Sequence, residues 1–353
     1  VAAGVRTAVR LTRDRLEELF RCFRDLRILV VGDFFLDKYL LLERGLTEIS
    51  LETGLEAYQA VGVRPLPGAA GTVAKNLTAL GVRPLALSAI GDDGEGYELE
   101  RALRAFGVDT SGLIKVTERH TPTYMKPIMR EPDGREHELN RIDIKNRSPT
   151  PPNLEEEIIA RLRELVTGVH GVAIVDQVEE PNCGIVTEMV REEILRLASS
   201  FPGKVFIADS RARIGLFHGV IVKPNRREAA LAIGLAPEEV MRDRTALHAA
   251  GEALRGRTGR PVYITAGEEG IFVFLEGACA HVPAVSMEGP IDPVGAGDAV
   301  MAALASALCA GADFVEAAEL AVLVAAVTVQ KIGTTGEACP DEVLSLLNEV
   351  TRA

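Results

Sequence analysis

Apolar residues in this chain gather in short continuous runs that end on a polar residue or a glycine: RILVVGD (27–33), GVAIVD (171–176), KVFIAD (204–209), GVIVKPN (219–225) and PVYITAG (261–267). Runs that short and that continuous read as strands buried on both faces, the mark of a parallel sheet. Between them lie amphipathic stretches such as Leu154 to Val166 and Val186 to Ala198, long enough for crossover helices. The alternation predicts an α/β fold, a doubly wound, mainly parallel sheet flanked by helices, with ligands at the carboxyl ends of the strands. Asp33, Asp176, Asp209, Asn225 and Gly267 would then collect along one edge.

Two segments break the alternation. Residues 40–66 and 120–144 show strand-like spacing around glycine and PDG turn signals. They are expected to form a small β-sheet lid on a main domain made of residues 1–39, 67–119 and 145–353. A lid over the strand ends would keep water from a reactive phosphate. The plainer alternative is a decorative subdomain or a dimer patch, and exposed strand edges favour a homodimer through the lid. Within it, Arg141 and Asp143 either close over a ligand or pair across strands, and EPDGREHE reads as a solvated hairpin.

Composition narrows the partners. With 47% hydrophobic and 25% charged residues, 353 residues bury a large core, while a net charge of -12 speaks against a nucleic-acid or anionic-membrane binder. A small anionic ligand in a local pocket stays open. Five cysteines, widely spaced and without a CxxC pair, suggest neither a disulfide framework nor a zinc site, and so reduced thiols and a cytoplasmic protein. The N-terminal segment lacks a secretory pattern, and the longest apolar stretch, Leu320 to Val329, is too short to span a bilayer. His120 and His137 fall in the lid segment without a metal-ligand partner spacing, and read as surface residues.

The densest chemistry lies in DPVGAGDAVMAALASALCAG (292–311). Gly295, Ala296 and Gly297 let a ligand approach the backbone where the first amides of a helix have no internal acceptor, which makes an anion hole. Val300, Leu304 and Leu308 would dock one helix face on the core. Asp298 in the first turn could take the proton of a bound hydroxyl as a γ-phosphoryl group arrives; equally, the motif reads as a glycine loop with an aspartate cap. In VKPNRREA, Asn225 and Glu228 can orient a hydrated magnesium on nucleotide phosphates, or serve as helix cap and first-turn acid. In TAGEEG, Thr265, Gly267 and Gly270 can approach a nucleotide, or simply turn the chain. Lys75 and Asn76 open a helix after the motif GAAGTVAKNLTALG, facing either ligand or solvent.

In their order along the chain, VVGDFFLDKY, GAAGTVAKNLTALG, VKPNRREA, TAGEEG, DPVGAGDAVMAAL and KIGTTGEACPDEV resemble the ribokinase-like, PfkB-type carbohydrate kinases from about residue 25 onward. The resemblance implies ATP and Mg2+ as cofactors and γ-phosphoryl transfer to the hydroxyl of a sugar or sugar phosphate. It makes Asp298 the general base and Gly295 to Gly297 the anion hole, and puts Asp33, Asp37, Gly68, Thr72, Asn76 and Arg141 around the substrate. Carbonyls near Asp292, Val294 and Gly333 are candidates for holding K+.

Within the family, the opening and closing motifs resemble the branch that phosphorylates D-glycero-β-D-manno-heptose 7-phosphate. Its bifunctional form continues into a nucleotidyltransferase domain, so only the kinase part is expected here. Two positions depart from that branch: Thr72 replaces its usual Asn, and Asp209, Ser210 and Arg211 replace Asp-Pro-Lys. Arginine grips an anion bidentately where lysine presents a point charge. Arg211, Lys126 and Lys223 are candidates for holding a phosphate already on the acceptor. Two other classes remain as alternatives: a silent sugar or nucleotide sensor on the same fold, and a dinucleotide dehydrogenase, whose GxGxxG is missing after ILVVGD.

Overall fold

A computed structural model describes residues 11–287, 289–333 and 335–350; residues 1–10 and 351–353 of the main domain, and Thr334 of the KIGTTG motif, lie outside the described residues. In chain order the strands are β1 (Arg27–Gly32), β2 (Phe34–Glu43), β3 (Glu48–Ile49), β4 (Glu56–Ala57), β5 (Ala60–Ala69), β6 (Arg83–Gly91), β7 (Asp109–Val116), β8 (Thr123–Arg130), β9 (Glu136–Glu138), β10 (Ile142–Ile144), β11 (Gly171–Asp176), β12 (Val205–Ser210), β13 (Ile221–Val222), β14 (Val262–Thr265), β15 (Ile271–Leu275) and β16 (Ala278–Val282).

Nine of them form the main sheet in the order β16, β15, β14, β13, β12, β11, β1, β6, β7. From β14 to β7 every pairing is parallel, and β15 and β16 add an antiparallel edge. Strand β1 shows why the apolar runs are continuous: Ile28 and Val30 pack into the core on one face, Leu29 and Val31 into the core on the other. The first face is covered by helices that include Arg13–Phe23, Ala70–Ala79, Ala296–Cys309, Phe314–Thr328 and Pro340–Val350, the second by Pro152–Leu165, Glu188–Ser200 and Arg244–Thr258. The helix Ala296–Cys309 is buried from Ala299 through Ala307, so it is enclosed on nearly all sides rather than docked by the single face of Val300, Leu304 and Leu308. No helix among the described residues is long and apolar enough to cross a membrane.

The chain order reverses between β1 and β11: β6 and β7 are added on one side, β11 to β14 on the other. A crevice forms at such a switch point because the connections leave in opposite directions. Above it stands a five-stranded sheet in the order β10, β8, β2, β5, with β9 paired to β8, and β3 and β4 form a separate small ribbon. Strands β2 and β5 reach beyond residues 40–66, to Phe34 and Ala69. The reason is local: one residue, Asp33, joins β1 to β2, so the small sheet begins where the large one ends.

Asp33 is knotted into that junction. Its N–H donates to the Val175 carbonyl (3.0 Å) and its carbonyl accepts from Ala70 (3.0 Å). Its Oδ2 accepts from the amides of Gln177 (2.8 Å) and Val178 (3.1 Å), and its Oδ1 from Ile185 (2.8 Å). The preceding Gly32 has φ +149°, and a Cβ there would lie 2.0 Å from the Val175 oxygen. We expect Gly32→Ala to lower the unfolding free energy by roughly 2–4 kcal/mol in a denaturant titration, through clash and backbone strain together. Gly267→Ala, where φ is +57° but a Cβ meets open space, should cost about 1–2 kcal/mol. Equal losses at the two positions would contradict this account of the junction.

Candidate active site

The glycine loop opens the helix Ala296–Cys309 as a left-handed turn, with Gly295 at φ +83° in the cap position and no side chain capping the amides. Ala296 N–H donates to the Pro293 carbonyl (3.1 Å), so of the three predicted loop residues its amide is already engaged. The first helical bond runs from Ala299 N–H to the Gly295 carbonyl (3.0 Å). The amides of Gly297 and Asp298 therefore leave the helix without an acceptor among the described residues, at the positive end of its dipole.

Beside them lies a cluster of ionisable groups from three separate elements. Asp209 on β12 pairs with Lys223, just past β13, at 2.9 Å, and both are buried. Asp298 is half-buried. Burial pushes its carboxyl up to about 7; Asp209 and Asp37 add to the rise, while Lys223 and Arg211 oppose it. Burial works against the Lys223 charge, but Asp209, Glu228 and Asp298 outweigh it and hold the ammonium above its ordinary pKa. Asp298 thus sits in a low-dielectric site beside a fixed cation, with a carboxyl poised to gain or lose a proton near neutrality.

Asn225 and Glu228 form a capping box on the helix Arg226–Ile233: Asn225 Oδ1 accepts from the Glu228 amide (2.9 Å), and Glu228 Oε2 accepts from the Asn225 amide (2.8 Å). The bland reading of these residues therefore describes real contacts, yet Glu228 Oε1 stays uncommitted among the described residues. Glu228 is also raised, by burial first and by Asp209 next. No cluster of three acidic, histidine or cysteine ligands exists among the described residues, so the donor set suits a hydrated magnesium held through water rather than a metal ligated directly by the chain. Thr265 ends β14 and is joined to Asn225 by a lone parallel bridge. Gly267 has open space in front of it, as an approach site requires. Gly270 does not: at φ +90° it lies against β16, where a Cβ would be 2.1 Å from the Val282 oxygen.

On the small-sheet side the predicted residues divide. Asp37 is buried, pairs with Lys126 at 3.1 Å and lies against Gly68, where a Cβ would be 3.1 Å from the carboxylate. Thr72 and Asn76 are buried within the helix Ala70–Ala79 and donate locally, Thr72 Oγ1 to the Pro67 carbonyl (3.2 Å) and Asn76 Nδ2 to the Thr72 carbonyl (3.0 Å). Asn76 Oδ1 is buried without a partner among the described residues. Arg141 is exposed, forks onto Asp143 (2.6 and 2.9 Å) and stacks over Tyr124 at 4.1 Å. Asp33, with its carboxylate saturated by three amides, is held at about pKa 6, raised by burial and Asp176 against the pull of those bonds.

A cavity at the switch point runs from Asp33 and Phe35 to Tyr124 and the loop 177–185. Three cations line it, Arg119, Lys145 and Arg211, and so do Asp33, Glu179 and Glu180; Arg119 feels the charge of Asp33, and Arg211 those of Asp298 and Glu228. Arg119 donates only to carbonyls, of Cys183 (2.5 Å) and Ser148 (3.4 Å), and burial holds its pKa below the usual value. Arg211 also acts electrostatically on Asp298, opposing the rise of its pKa. Of the phosphate-holding candidates named by sequence, Lys126 and Lys223 are spent on Asp37 and Asp209, leaving Arg211. Arg119 and Lys145 carried no signal of their own.

Asp292, Val294 and Gly333 do come together. Asp292 Oδ1 accepts from the Val294 amide (3.0 Å) and Oδ2 from the Gly333 amide (3.1 Å). The Gly333 carbonyl, however, accepts from Arg64 of β5 (3.3 Å), so a guanidinium already occupies one oxygen considered for potassium.

Comparison with known proteins adds ancestry to this geometry. Residues 59–341 match the model of the pfkB family carbohydrate kinases. The bifunctional protein HldE of Geobacter metallireducens is 33% identical over 329 residues, 92% of this chain and 64% of the relative; that of Trichlorobacter lovleyi is 31% identical over 342 residues, 96% and 66%. The chain thus spans a little under two-thirds of these relatives' length. Among solved structures, Arabidopsis thaliana ribokinase complexed with ribose and ATP superposes with a TM-score of 0.64 at 20% identity, covering 91% of this chain and 98% of that one. Escherichia coli phosphofructokinase-2 in complex with potassium superposes at 0.68 with 16% identity, covering 93% and 100%.

The raised Asp298 pKa has a thermodynamic consequence. Between the ordinary value of 3.8 and about 7 the folded protein keeps a proton that the unfolded chain has released. Stability from this site is therefore greatest at low pH, declines as pH rises, and the full penalty is present above about 7. Asp298→Asn should melt at a higher temperature than the wild type at pH 8, with the difference gone by about pH 4. A lower melting temperature for the variant at pH 8 would refute the buried-charge reading.

Proposed function

The chain belongs to the pfkB family of carbohydrate kinases, phosphotransferases that act on sugars, and from that premise we propose that it phosphorylates a sugar already bearing a phosphate, D-glycero-β-D-manno-heptose 7-phosphate being the first acceptor to test. The observation that carries this reading is the cavity lined by Arg119, Lys145 and Arg211 beside Asp33, Glu179 and Glu180, with Arg211 acting electrostatically on Asp298. Two guanidiniums and an ammonium on one cavity wall suit an acceptor phosphate, which arginine can grip bidentately.

In this reading Asp298 accepts the proton of the acceptor hydroxyl as its oxygen bonds to the γ-phosphorus of ATP and the bond to the bridging oxygen breaks. The amides of Gly297 and Asp298 hold the charge on the transferred group, and Lys223 keeps the carboxylates around it in check. Magnesium, oriented through water by Asn225 and Glu228, would neutralise the nucleotide phosphates. The open face at Gly267 suits the nucleotide, and Asp37, held by Lys126, suits acceptor hydroxyls. Carbonyls near Asp292 and Val294 are the candidates for K+, beside the Gly333 carbonyl that already accepts from Arg64. A homodimer through the small sheet belongs to the same proposal, since Val61, Val63 and Ile142 leave more than half of their surface exposed there.

An ATP-coupled screen over free sugars, sugar phosphates and nucleosides should find turnover on a sugar phosphate; turnover on nucleosides alone would overturn the assignment. Arg119→Ala should raise KM for that acceptor by roughly tenfold or more and change kcat less. Asp298→Asn should keep nucleotide binding and lose about two or more orders of magnitude in kcat. The wild-type rate should fall as pH drops through about 7, because the base must be unprotonated. A flat profile from pH 5 to 9 would remove Asp298 from that role.

A further inference from the structure

Lys75 is a buried ammonium that the chemistry above does not use. Sequence spacing offers it to ligand or to solvent, and it meets neither: its residue is 4% exposed, on the helix Ala70–Ala79. Its Nζ donates to the Thr335 carbonyl (2.5 Å), lies 3.4 Å from Thr335 Oγ1 and 3.3 Å from Glu337 Oε2, and stands 5.4 Å over the Phe106 ring. Thr335 is itself buried, and its other side meets the glycine loop. A Cβ built on Gly295 would be 3.2 Å from both Thr335 Cβ and Cγ2.

Desolvating an ammonium costs several kcal/mol unless it is well paired, so an apolar residue would fill this position more cheaply if packing were its only purpose. What the ammonium adds is a directed grip on one carbonyl. We propose that Lys75 is a positioning residue for phosphoryl transfer: it holds Thr335 against Gly295, and thereby fixes the left-handed turn that aims the Gly297 and Asp298 amides. This rests on the reading of that loop as the γ-phosphate site. The segment beyond Thr335 has a separate anchor, since Lys331 Nζ donates to the Glu337 carbonyl and pairs with Glu342 at 2.7 Å. Removing Lys75 should therefore loosen Thr335 without releasing the C-terminal helix Pro340–Val350.

The test compares Lys75→Ala and Lys75→Met with the wild type and with Lys331→Ala, which touches the same segment but not Thr335. Both Lys75 variants should lose about tenfold or more in kcat with KM for ATP changed much less. Lys75→Ala should regain activity with added ethylammonium or propylammonium, which can donate from the vacated space, but not with tetramethylammonium, which cannot. Lys331→Ala should show no such rescue. A folded Lys75→Ala that is fully active, or inactive and not rescued, overturns the proposal. So does loss of the folded state in both Lys75 variants by thermal melting, because the residue is then structural. Asp298→Asn measured alongside separates the two levels: if it keeps turnover, the reading of the loop fails. If it loses turnover while Lys75→Met keeps it, only the role of Lys75 fails.

Discussion

A parallel sheet covered by helices on both faces leaves polar side chains almost nowhere to go except the ends of its strands. Here that constraint organises the whole molecule. Strand β1 is apolar on both faces to Gly32 and turns polar at Asp33; β12 closes on Asp209 and Ser210, and Lys223 follows β13 directly. The same edge carries the crevice where chain order reverses. Chemistry collects there because hydrophobic burial excludes it elsewhere, and the small sheet stands over that edge because β1 runs into β2 with a single residue between them.

Crowding charges at one edge sets up the second theme, the balance between burial and pairing. Asp209, Glu228 and Asp298 share one buried lysine, and burial, with the charge of Asp209 next, raises the pKa of both Glu228 and Asp298 at the border of the cleft. The neighbouring cavity mixes charges differently. Arg119, Lys145 and Arg211 line it with Glu179, Glu180 and Asp33, and the Asp33 carboxylate is consumed by backbone amides. Arg211 acts electrostatically on Asp298 as well.

Much of this was legible in sequence wherever the signal was local. Continuous apolar runs gave β1, β11, β12 and β14 close to their observed limits, and the glycine motif gave the helix start at Ala296. Local signal was ambiguous where one residue serves two ends. Asn225 and Glu228 are a capping box and also border the cleft, and no spacing rule separates those roles. It is silent where the partner is far along the chain. No local pattern at Gly270 signals the packing of β16, where a Cβ would be 2.1 Å from the Val282 oxygen. Arg119 meets Cys183, Arg64 meets Gly333 and Lys75 meets Thr335, pairings set by topology and not by any pattern within one segment. Thr72 and Asn76 were placed at the right helix, but the depth to which that helix is buried turned their polar groups inward.

The five hydrogen bonds on Asp33 bear on how the two sheets can move as machinery. A hinge needs a residue whose dihedrals are free to change, and Asp33 is pinned through its N–H, its carbonyl and both carboxylate oxygens to three other segments. The root of β2 is therefore a weld. Any bending of the small sheet against the large one therefore has to come from the long strands β2 and β5 or from the connections that enter β8 and leave β10, and not from the joint itself. The cavity beside that joint is built on the stiffest part of the junction.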